Sequence, residues 1–117
     1  MNNYHSALVE ALERVLPTYY ELILNSSIKT PCISYMGLNN AFQTQATGNT
    51  LGYARVSYRV KVWGEDLEQL LAYVSEIDKE LRPLGYTRVS CGELYDKESA
   101  MIQVVMTYEG LALEKFN

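Results

Sequence analysis

Histidine is nearly missing from this chain: His5 is the only one in 117 residues. A Ser-His or Cys-His catalytic pair would have to be built on it. Its place, before or inside the first turn of a helix, points instead to a solvated surface residue. Cysteine is scarce as well. Cys32 and Cys91 are far apart and form no metal-spaced pair. They are expected as two small, reduced, half-buried residues in strands. There is no glycine-rich phosphate loop: Gly48, Gly52 and Gly64 are isolated, and no Gly-Lys-Ser/Thr follows any of them. No apolar run approaches the ~20 residues of a membrane span. The opening Met-Asn-Asn-Tyr-His lacks the basic and apolar regions of a signal peptide, so the expectation is a protein made in the cytosol. Bases are outnumbered by acids, 10 to 14, for a net charge of −4, which argues against a general nucleic-acid binder.

The carboxylates form no catalytic constellation. Glu10, Glu13, Glu65, Asp66 and Glu68 fall on helix faces or helix starts. Glu93, Asp96 and Glu98 share a turn but lack the alternating oxygen ligands of a calcium loop. The expectation is a non-enzyme with no catalytic, cofactor-binding or metal-binding residues.

What is present is a long alternating strand. From Tyr53 to Trp63, Ala54, Val56, Tyr58, Val60 and Val62 take one side, and Arg55, Ser57, Arg59 and Lys61 the other. A period of two marks a half-buried strand, spanning roughly 36 Å at about 3.3 Å per residue. One face is core. The other is a cationic stripe on an acidic protein. Ten tyrosines suit both a sheet and an interface, because the ring buries area while the hydroxyl stays polar.

Around this strand the pattern predicts a helix over 3–16, with Leu8, Leu12, Val15 and Leu16 on one face and Val9 beside them, stopped by Pro17. Strands follow over 18–25 and 31–38, joined by Asn25-Ser26-Ser27 as an antiparallel hairpin. Residues 39–51 are polar, uncharged and aperiodic, which predicts a long, mobile loop. A second helix opens on Glu65-Asp66, carries Leu67, Leu70, Leu71, Val74, Ile77 and Leu81 on one face, and ends at Pro83 and Gly85. A short strand over 86–91, a charged turn over 92–98 and a strand over 100–109 complete the domain. Residues 110–117 are expected as a short extension or a docking arm. The predicted fold class is α+β, a single domain over 1–117: a mainly antiparallel sheet of about four or five strands with two amphipathic helices on one face.

The cationic stripe has three readings. It is a solvated sheet face with cross-strand ion pairs to Glu21 or Glu109. Alternatively it is a subunit interface or lumen lining, with Tyr53 and Trp63 beside Arg55, Arg59 and Lys61. Last, it is a single-strand nucleic-acid platform with those aromatics stacking on bases, although RRM-type consensus glycines and aromatics are absent.

The string Leu51 to Gly64, the helix end Ile77 to Tyr86 and the strand Met101 to Glu109 together resemble the tail terminator proteins of long-tailed bacteriophages, also called tail completion or tail-to-head joining proteins. The resemblance runs from about Leu8 to Glu109 and rests on element order, length and these strings. It implies a structural virion protein, assembled as a hexameric ring that caps the tail tube, stops its polymerisation and meets the head connector. The partners implied are other copies of the chain, the tail tube protein and the head connector or completion protein, with DNA only passing through the lumen and no membrane. The location implied is the head-proximal end of the tail, reached from the host cytoplasm. No cofactor is implied. Within that frame the stripe is read as a subunit interface, and the loop residues Gln43, Thr44, Gln45, Thr47, Asn49 and Thr50 as reaching an adjacent ring. Another small phage neck or head-completion adaptor, or a nucleic-acid- or protein-binding module, are the alternatives.

Overall fold

The computed structural model describes residues 3–21, 28–43 and 51–115, with side chains over 5–21, 28–38 and 55–110. Its elements are α1 (Asn3–Glu13), β1 (Thr18–Tyr20), β2 (Cys32–Gln43), β3 (Leu51–Gly64), α2 (Leu67–Leu81), a 3-10 turn (Arg82–Leu84), β4 (Thr87–Asp96) and β5 (Met101–Lys115). The strands form one sheet in the order β1-β2-β3-β5-β4. This is the expected α+β class, with both helices on one side of a mostly antiparallel sheet.

β3 sits at the centre because its alternation fits burial on one face. Val56, Tyr58, Val60 and Val62 are all at most 1% exposed. Val104, Met106 and Tyr108 extend the same row onto β5. Leu8, Ala11 and Leu12 of α1 and Leu70, Val74, Ile77 and Leu81 of α2 close over them as one core. Asp66 caps α2 by accepting from the Glu68 N–H at 3.1 Å, which satisfies one of the free amides of the first turn. Gly85, at φ 93°, takes the left-handed conformation that lets the chain turn from the helix into β4.

Several expectations change. α1 ends at Glu13 rather than 16, with Val15 and Leu16 packed against the core from the following turn. β1 is assigned over three residues and runs parallel to β2, pairing Thr18 with Ile33; residues 22–25 of the expected strand and the Asn25-Ser26-Ser27 turn lie outside the described residues. The expected antiparallel hairpin does not form. The 21–31 connection is close to the length a parallel crossover needs, so local turn residues do not determine the direction. β2 runs five residues further than expected, so Asn39–Gln43 are strand and pair with Tyr53–Ser57 of β3. A bulge between Gly37 and Asn39 shifts the alternation there, which is why that stretch has no period. β4 is ten residues rather than six and includes Glu93 and Asp96; the turn is 97–100. β5 continues through Lys115 against β3, so most of the expected tail is strand. Leu71 is 41% exposed and belongs to the flank of α2, not to its buried stripe.

The stripe assignment has a direct test. Ile77→Ala, at a fully buried site, is expected to destabilise the chain by about 2–5 kcal/mol. Leu71→Ala on the same helix should stay within about 0.5 kcal/mol of the parent. Urea unfolding followed by circular dichroism reads both.

Candidate functional site

The candidate site is the sheet face away from the helices. Cross-strand pairing puts Arg55, Ser57, Arg59, Lys61 and Trp63 on this side, next to Ser34 and Met36 of β2 and to Gln103, Val105, Thr107 and Glu109 of β5. No element among the described residues forms a second layer over it. Antiparallel sheets tolerate this arrangement when the free face is polar.

The three cations do not act as one stripe. Arg59 reaches across β2, and its Nη2 donates to Glu21 Oε1 at 2.6 Å and lies 3.3 Å from Met36 Sδ. Its Nε is buried and has no hydrogen-bond partner among the described residues. Both partners of the ion pair keep about a third of their side-chain surface exposed (32% and 33%), so the pair contributes at most about 1 kcal/mol. Lys61 lies with Nζ 5.6 Å from the Trp63 ring centre, a cation–π contact. Arg55 is exposed and has no ion pair among the described residues. It shares an open hollow of about 380 Å³ with Glu109, Thr87 and Gly110. Of the two acids weighed as intrachain partners, Glu21 is engaged, by Arg59.

Trp63 is only 7% exposed although no layer covers this face. Its Nε1–H donates to Ser34 Oγ at 2.9 Å, and Ser34 is itself buried at 4% exposed. Tyr53 pairs through its backbone with Gln43 and Leu113, while its side chain is outside the described ones. Gln43 is the last residue of β2; Thr44, Gln45, Thr47, Asn49 and Thr50 lie outside the described residues.

Two clusters on the helix side were not anticipated. His5, expected to be solvated, is half-buried: its ring centre is 5.7 Å from that of Tyr35 and 6.1 Å from that of Tyr58, with Nδ1 3.2 Å from Tyr58 Oη. The first turn of α1 lies over the sheet, so the imidazole fills the space above these rings. The second cluster is Tyr108, Asp78 and Arg88. The Tyr108 hydroxyl donates to Asp78 Oδ1, and Arg88 Nη1 lies 3.4 Å from Asp78 Oδ2. Burial, and then the bond to Asp78 and its negative charge, push the Tyr108 phenol well above its ordinary value of 10.0. The cysteines divide: Cys32 is fully buried, with its thiol pushed up by burial, and Cys91 is exposed on β4. Neither is half-buried: Cys32 pairs directly with the bulky Trp63 on the neighbouring strand, whereas β4 is exposed along nearly its whole length.

Among the described residues no three His, Cys, Asp or Glu side chains are grouped to hold a metal ion, and no helix is long and apolar enough to cross a membrane. The chain matches no protein-family model and no curated protein.

The Tyr108–Asp78 bond predicts a pH dependence. A raised folded-state pKa gives stability that is fully present below about pH 10, where the unfolded tyrosine is still protonated. That stability is lost as the pH climbs toward the folded value. Tyr108→Phe is therefore expected to cost about 1–3 kcal/mol at neutral pH and to flatten the loss of stability above about pH 10. Urea midpoints at a series of alkaline pH values check this. Parallel curves for the two proteins would contradict it.

Proposed function

We propose that this chain is a structural virion subunit: a phage tail terminator that assembles as a ring on the end of the tail tube, halts its polymerisation and presents a new surface to the head connector. It acts by shape and contact and catalyses nothing. The sequence resemblance supplies the class. The structural observation that supports it is the length of the sheet. The molecule measures 52 × 24 × 22 Å, whereas the fifteen-residue α2 accounts for only about 22 Å. β2, β3 and β5 continue together past the Gly85–Tyr86 turn as a paired three-stranded projection of Asn39–Gln43, Leu51–Arg55 and Leu111–Lys115. A projection of this kind lets a ring subunit reach beyond its own core to a neighbour.

A tube protein repeats the same two surfaces at every level, so its axial interface does not close. A terminator has to match the tube end on one side and offer something different on the other. The two ends of this elongated domain are unlike in that way: the three-stranded projection stands at one end and the helix-covered part of the sheet at the other.

Purified chain added to polymerising tail tube protein is expected to leave tubes of limited length, each with a ring at one end in negative-stain images. Unbounded tubes with bare ends would contradict the proposal. Binding to portal-containing heads in the absence of tubes would move the chain to the neck-adaptor class.

A further inference from the structure

The two outer surfaces of the domain differ in charge. On the helix layer Glu10, Glu13, Glu65, Glu68 and Glu76 are exposed. The exposed cations of that layer outside an ion pair are Lys79 and Arg82, because Arg14 is bound to Glu80 at 2.7 Å. On the open sheet face the balance is reversed. Arg59 and Glu21 neutralise each other, and Asp96 is engaged in its turn by the Glu98 N–H and the Ser99 hydroxyl. Among the described side chains of the paired strands on that face, this leaves Arg55 and Lys61 against Glu109. Beside Lys61 lies Val105, its partner on β5, and further across the same face Leu94 of β4, paired with Gln103, is 58% exposed. The sheet face thus has apolar contact area with a cationic excess, and the helix layer has an acidic excess.

We infer that copies of this chain dock front to back, the open sheet face of one on the acidic helix layer of the next. The occupant is a second copy because the same domain carries both complementary surfaces. They point in opposite directions, so the contact is heterologous and can repeat around a ring. Arg55 and Lys61 of one copy face Glu68 and Glu76 on α2 of its neighbour, while Arg59 stays with its own Glu21. The inference rests on the ring reading above and specifies its interface.

The test uses the full chain and two double variants, Arg55→Glu with Lys61→Glu and Glu68→Lys with Glu76→Lys, followed by sedimentation equilibrium. The parent is expected to self-associate at about 0.05 M salt and to weaken at about 0.5 M, where screening shortens the reach of charge. Each double variant alone should associate at least about tenfold more weakly. A mixture of the two should recover association, because the reversed charges face each other again. Thermal melts confirm folding; a front variant that melts early is replaced by Lys61→Gln, with the same expected direction. A parent that stays monomeric at low salt overturns the inference. So do variants that associate like the parent, and a mixture that fails to recover. Tube capping is read separately. Recovery by charge exchange without capping removes the terminator reading and leaves the interface; capping with no response to charge exchange does the reverse.

Discussion

One side of β3 holds the domain together. Val56, Tyr58, Val60 and Val62 are shut off from water by residues of both helices, and the strand is paired with β2 on one flank and β5 on the other. At about 25 cal/mol per Å² of apolar surface buried, this row and its helical partners are the main driving force for folding. β1 and β4 are attached through β2 and β5 and do not touch β3 in the sheet order. The position of every other element follows from which side of β3 must be dry.

The same constraint shapes the other face. Side chains alternate, so each buried valine forces its neighbour outward. The outward row is ordered by its own contacts: Arg59 on Glu21, Lys61 over Trp63, and Trp63 on Ser34. With these contacts made, the Trp63 side chain is nearly buried although no element among the described residues forms a second layer over this face. The same contacts leave Arg55 and Lys61 as the cations of that row without an ion pair among the described residues. At the far edge β4 is exposed along nearly its whole length, with Val89, Leu94 and Tyr95 open to water. An edge strand of this length normally finds a partner or carries charges that discourage one. β4 carries Arg88, Glu93 and Asp96.

The parts of the fold that were legible in the sequence are those set by local periodicity. The β3 row, the stripe of α2 with its Asp66 start, and the order of helices and strands all follow from spacing. Non-local features were not legible. Nothing near Thr18 encodes that β1 runs parallel to β2, because pairing direction depends on a strand twelve or more residues away. The bulge at Leu38 breaks the alternation of β2 and makes its last residues look like loop. Glu93 and Asp96 look like turn residues because charged side chains are tolerated on a strand with neither face covered. For the site, the sequence offers Glu21 or Glu109 as partners for the cationic stripe as a whole, and the geometry pairs Glu21 with Arg59. The Trp63–Ser34 bond and the Tyr108–Asp78–Arg88 cluster depend on which residues meet across strands and between helix and sheet, which spacing alone does not report.

The central claim is that this chain limits the length of a tail by capping it. The most direct measurement is the distribution of tail lengths in particles assembled with and without the gene for this chain. Overlong, head-free tails are expected when the chain is missing, and tails of uniform length joined to heads when it is restored. Tails of normal length attached to heads in its absence would contradict the account.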